Sequence, residues 1–103
     1  MDTESTAAGP SVAFRRAEDA SRYELTVDGT VVSVIDYRLN GDRISFPRTF
    51  TLPTFRGHGY AGRLVEWAVD DVEATGGLRI VPMCWYVGDW FDRHPERAGL
   101  LAE

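Results

Sequence analysis

From Arg22 the chain alternates: Tyr23, Leu25 and Val27 are apolar, while Glu24, Thr26 and Asp28 are polar. A period of two puts the two sets on opposite sides of an extended strand, so this segment reads as a half-buried strand. Asp28-Gly29 follows, a pair suited to the positive backbone angles of a two-residue hairpin turn. Val31 to Leu39, rich in β-branched residues, is expected to return beside it and to close at Asn40-Gly41-Asp42. Ile44, Phe46, Phe50 and Leu52 mark a further strand. Pro47 has no N–H to donate, so that strand is either at an edge or bulged there. Upstream, Val12 to Arg15 makes a short first strand, set off by the polar Glu18-Asp19-Ala20-Ser21. Four strands on tight turns make an antiparallel meander.

The period changes after Pro53. From Tyr60 the apolar residues fall at Ala61, Leu64, Val65, Ala68, Val69 and Val72, a helix stripe sustained for about three turns. Gly76-Gly77 supplies the stop. Leu78-Arg79-Ile80-Val81 reads as a short buried strand ended by Pro82, and a strand–helix–strand unit of this kind requires a parallel crossover. Val87, Trp90 and Phe91 describe a shorter helix before His94-Pro95, with one more helical turn expected between Glu96 and Glu103. The fold class is α+β, antiparallel first and then one strand–helix–strand unit. Residues 1–10, small and polar, are expected to form a disordered tail, and 11–103 a single domain.

Composition narrows the partners. At 103 residues the chain is long enough for one core and too short for two. A formal charge of −5 argues against a nucleic-acid surface, which needs a basic face. No apolar run approaches membrane-spanning length, and the start of the chain lacks the basic and apolar segments of a secretory signal, so a cytoplasmic location is expected. Cys84 is the single cysteine, which excludes an internal disulfide and a zinc cluster built from thiolates. His58 and His94 show no metal-ligand spacing, and no metal is expected.

Phe55-Arg56-Gly57-His58-Gly59-Tyr60-Ala61-Gly62 stands where the meander hands over to the long helix. Arg56, His58 and Arg63 crowd the helix start, and Asp70, Asp71 and Glu73 sit near its end, each group opposed to the helix dipole. A bound anion at the N-terminus makes the first group favourable, so the stretch reads as a phosphate site, with a bare tight turn as the alternative. Gly57, Gly59 and Gly62 spell the dinucleotide pattern G-x-G-x-x-G. That motif belongs on the first strand of a parallel sheet, whereas here four antiparallel strands come first.

Arg56-x-x-Gly59-x-Ala61 resembles the R/Q-x-x-G-x-G/A signature of the GNAT superfamily of N-acetyltransferases. Val81-Pro82-Met83-Cys84-Trp85-Tyr86-Val87, Trp90-Phe91 and Arg93-His94-Pro95-Glu96 look like the closing segment of its small single-domain branch, which carries one cysteine after the fifth strand. The resemblance spans Tyr23 to Glu96. It implies a GNAT-like fold, acetyl-CoA as cosubstrate, and transfer of the acetyl group to an amine, either a small molecule or a protein amino group. It also implies that the turn cradles the coenzyme A pyrophosphate. The binding residues would be Phe55, Arg56, Gly57, His58, Gly59, Tyr60, Ala61 and Arg63, with backbone N–H groups from Gly57 to Ala61 and charge from Arg56 and Arg63.

The same resemblance puts Cys84 and Tyr86 beside the thioester. Cys84 stands at the entrance of the second helix, where a thiolate is favoured; a packed, inert thiol is the plainer reading. Cys84 would accept the acetyl group or protonate the leaving coenzyme A thiolate, and Tyr86 is the rival acid. Many GNAT enzymes carry a glutamate base on the strand before the turn, but Ile44 to Leu52 contains no carboxylate. Arg48 stands where relatives in the small branch often have histidine. Glu24, Asp36, a water relay or an amine of low pKa are open as the answer. His94 is expected to close the second helix, Trp90 and Phe91 to be core, and Trp85 to line an acceptor pocket or pack. Two other functions compete: a catalytically weak acyl-CoA-binding sensor, and an interaction domain without a ligand.

Overall fold

Alternation and turn chemistry act where the sequence puts them. β1 (Val12–Ala17), β2 (Arg22–Val27), β3 (Thr30–Asn40) and β4 (Arg43–Thr51) form an antiparallel meander. Asp28 and Gly29 turn β2 into β3 at φ 51° and 85°, the left-handed pair that a tight turn between twisted strands needs. α1 (Tyr60–Thr75) leads to β5 (Arg79–Val81), which lies parallel to β4 and completes a sheet in the order β1-β2-β3-β4-β5. α2 (Trp85–Arg93) and a 3-10 turn at Pro95–Leu100 follow. The fold is α+β, GNAT-like in its order of elements. The computed structural model describes residues 9–103, so most of the expected tail, 1–8, lies outside the described residues.

One face of the sheet carries the core. Tyr23, Leu25, Ile35 and Phe46 meet Leu64, Val65, Ala68 and Val69 of α1, all without solvent exposure. Full burial of each Leu, Ile, Val or Phe side chain among these stabilises the fold by about 1.5–3 kcal/mol. Val87, Trp90 and Phe91 of α2 join the same core, as their helical spacing predicts. The opposite face carries Glu24, Asp36, Arg48 and Phe50. After the final 3-10 turn the chain does what its sequence did not announce: Leu101 bridges to Ile80 and Ala102 N–H donates to the Ile80 carbonyl at 2.8 Å.

Pro47 takes the bulged alternative. Asp36 pairs with Arg48 and Arg38 with Ser45, so Phe46 and Pro47 together oppose Tyr37. The extra residue reverses the parity of the strand beyond it. Thr51 shares the inner side with Ser33, their hydroxyls 2.8 Å apart, while Arg48 and Phe50 pass to the outer face.

The acidic end of α1 needs no dipole argument. Asp71 accepts from the Tyr23 hydroxyl at 2.8 Å and from Arg16 at 3.0 Å; burial and this carboxylate push the Tyr23 phenol well up. Asp70 and Glu73 both hold Arg97 at 3.0 Å. These carboxylates pin β1, β2 and the C-terminal segment to the helix, which offsets their unfavourable place on it.

Candidate active site

β4 and β5 pair only over Arg43–Ser45 and Arg79–Val81. β4 runs on to Thr51, but the chain after β5 is tied to it by one more backbone–backbone bond, Cys84 N–H to the Phe46 carbonyl at 2.9 Å, before turning into α2. The two segments therefore part, and a cavity of about 460 Å³ opens beside them. Thr49, Phe50 and Thr51 line it from β4, Cys84, Trp85 and Tyr86 from the start of α2, and Phe55, Arg56, Gly57, Gly59, Tyr60 and Ala61 from the turn before α1.

The turn has the features an anion requires. Gly57 and Gly59 sit at φ 83° and 78° in open space, so backbone strain alone demands glycine there. The first helical bond runs from Arg63 N–H to the Gly59 carbonyl, which leaves the amides of Tyr60, Ala61 and Gly62 ahead of the ladder. No side chain caps them, and the first turn holds no acidic residue. Free donors, the positive end of the dipole and an open glycine surface suit a pyrophosphate.

Not every expected donor-site residue faces this cavity. His58 is exposed, its ring 5.6 Å from that of Tyr60, and the Arg63 guanidinium covers the Phe14 ring at 5.6 Å. Arg56 lies at the mouth, its Nε donating to the Thr51 carbonyl at 3.1 Å and its guanidinium 5.7 Å over the Phe50 ring.

Cys84 is the N-cap of α2 and half-buried. Burial pushes its thiol up, but the Thr49 hydroxyl, donating to Sγ at 3.4 Å, and the backbone N–H groups of Tyr86, Val87 and Thr49 outweigh it. The net direction is below the ordinary thiol value, as expected at a helix N-terminus. Thr49 escaped the sequence reading. A threonine in a strand is unremarkable, and only the bulge at Pro47 turns this one inward. Tyr86 reaches the start of α1, its hydroxyl 3.5 Å from where a Cβ on Gly62 would stand. Trp85 is 78% exposed at the mouth.

The open candidates for a base lie elsewhere. Glu24 is buried on the outer face, accepting from Arg15 Nε and Arg22 Nε at 2.6 Å each. Asp36 accepts from Arg48 at 3.4 Å. His94 closes α2, stacked on Trp90 with its Nδ1 2.7 Å from the Trp90 carbonyl.

A family model described as GCN5-related N-acetyl-transferase matches residues 22–100. Among solved structures, the chain is similar to the ribosomal-protein-S18-alanine N-acetyltransferase from Escherichia coli, with a TM-score of 0.54 and 15% identity over 78% of this chain and 48% of that one. That likeness is one of fold, and the chain spans about half the length of the enzyme. A search of curated proteins returned no match.

Proposed function

The chain belongs to the GCN5-related N-acetyltransferase family, and we propose that it moves the acetyl group of acetyl-CoA to an amine by way of Cys84. One observation carries this reading: a single cavity joins the glycine turn to a thiol whose pKa is lowered. The turn would hold the pyrophosphate and direct the thioester toward Cys84. The Cys84 thiolate attacks the thioester carbonyl; its C–S bond forms as the bond to coenzyme A breaks, and the departing thiolate takes a proton from the Tyr86 hydroxyl or water. The amine nitrogen then attacks acetyl-Cys84, the C–N bond forms as the C–S bond breaks to restore the Cys84 thiolate, and the nitrogen's proton returns to Tyr86, or to water where water was the donor.

A second reading, an acyl-CoA-binding module with little catalysis, is favoured by the carboxylate-free run Ile44 to Leu52. Ligand-dependent melting tests the feature common to both. Acetyl-CoA at a hundredfold excess over Kd is expected to stabilise the chain by about 2.7 kcal/mol. Gly59→Val is expected to lose that rise and to cost about 1–2 kcal/mol on its own, because a β-branched residue is forced to a left-handed φ. No shift at millimolar acetyl-CoA removes both readings. Thiol release with an amine panel separates transferase from binder.

A further inference from the structure

The acceptor end of the cavity has a definite chemistry. Trp85 and Tyr86 offer ring surface, Thr49 offers the hydroxyl that faces Cys84, and Arg56 brings a positive charge. Arg48 covers the Phe50 ring from the outer face at 5.2 Å and is paired with Asp36, so the positive charge that lines the cavity is that of Arg56. Among the described residues, no carboxylate or imidazole lines this cavity. Asp36 is committed to Arg48, and Glu24 to Arg15 and Arg22. An alkyl ammonium ion would meet the charge of Arg56 here and find no carboxylate or imidazole to take its proton.

We propose that the acceptor is a primary aromatic amine, bound as the neutral base with its ring against Trp85; this rests on the donor and Cys84 reading above. A lysine-like amine is neutral in about one molecule in 2,500 at pH 7. An aniline is neutral throughout. The aryl nitrogen is the weaker nucleophile, yet all of it is present in the reacting form and no base must act before attack. Its lone pair attacks the carbonyl of acetyl-Cys84, the C–N bond forms, and the C–S bond breaks. Sulfur leaves as the thiolate that the Thr49 hydroxyl stabilises, and the acylated nitrogen, now strongly acidic, releases its extra proton to water. Trp85, 78% exposed beside Cys84, gains cover when a ring stacks on it.

Two probes of equal ring and substituent decide the matter, para-anisidine and para-methoxybenzylamine, the first neutral and the second a cation at neutral pH. Para-anisidine is expected to show at least about tenfold higher kcat/KM at neutral pH, and a rate that does not follow amine ionisation. The benzylamine rate is expected to climb about tenfold per pH unit with its neutral fraction. Para-anisidine is also expected to raise the melting temperature of the coenzyme A-saturated chain, and Trp85→Ala to lose that rise while keeping the one due to coenzyme A. Preference for the benzylamine at neutral pH overturns the assignment. So does a chain that acetyl-CoA stabilises but that neither acetylates nor binds para-anisidine, and either result leaves the donor reading standing. A melting temperature unmoved by acetyl-CoA itself overturns both.

Discussion

Cys84→Ala is expected to keep the rise in melting temperature caused by acetyl-CoA and to lose thiol release by about 100-fold or more. The glycine turn proposed to hold the donor lies on a different element from Cys84, so binding and chemistry are expected to separate in this variant. Mixed with acetyl-CoA and no amine, the wild-type chain is expected to gain the mass of one acetyl group and Cys84→Ala none. A wild-type chain that never acylates, with thiol release surviving in Cys84→Ala, would sink the covalent route. Thr49→Val sharpens the test, since it keeps the shape of the side chain and removes the hydroxyl that faces Sγ. That hydroxyl favours the thiolate, so its loss moves the thiol back up toward its ordinary value. Alkylation of Cys84 by iodoacetamide is then expected to titrate at higher pH in Thr49→Val than in the wild type, and acylation at neutral pH to slow. A purely packing role for Thr49 would leave the alkylation profile where it was.

Arg15→Met/Arg22→Met is expected to destabilise the fold by about 3 kcal/mol at neutral pH. Glu24 is buried with Arg15 and Arg22 both paired to it, and methionine keeps an apolar stem at each position while removing both charges. The carboxylate is left in place without its partners. In the wild type, burial raises the Glu24 pKa, but the bonds and charges of Arg22 and Arg15 outweigh burial and hold it below the usual carboxylate range. A depressed folded pKa contributes stability that is present above the unfolded value, about 4.3, and lost as pH falls through the folded value. In the double variant burial acts alone, the folded pKa rises, and the sign inverts: the folded chain now binds more protons than the unfolded one, and stability falls as pH rises through the unfolded value. Urea denaturation at acidic and neutral pH reads the difference. The gap between wild type and variant should widen from about pH 4 toward pH 7. Adding Glu24→Met to the pair is expected to recover most of the loss, because it removes the stranded charge. A gap independent of pH would mean that Glu24 contributes by packing rather than by charge.

Much of the fold was legible because local rules and burial agreed. The alternation Tyr23-Leu25-Val27 faces the core, the Leu64 to Val72 stripe is the buried side of α1, and Trp90 and Phe91 pack while Trp85 does not. The charge reading of α1 was half legible. Its basic start borders a cavity through Arg56, but its acidic end is explained by Arg16, Tyr23 and Arg97, which lie far away in sequence. The C-terminal bridge of Leu101 to Ile80 had no local signal, because a single extended residue carries no period.

What the chain's order of residues determined by itself was the set of elements and the place of the glycine turn. These follow from periods of two and 3.6, from Asp28-Gly29, and from glycines at Gly57 and Gly59 that alone adopt the required φ without strain. Tertiary structure decided which side chains meet. One extra residue at Phe46-Pro47 reverses a strand's parity, which turns Thr49 toward Cys84 and sends Arg48 and Phe50 to the outer face. The early parting of β4 and β5 then turns that side of the sheet into a cavity. A bulge is permitted by proline, but its parity effect acts only through the partner strand, and no single segment contains that information.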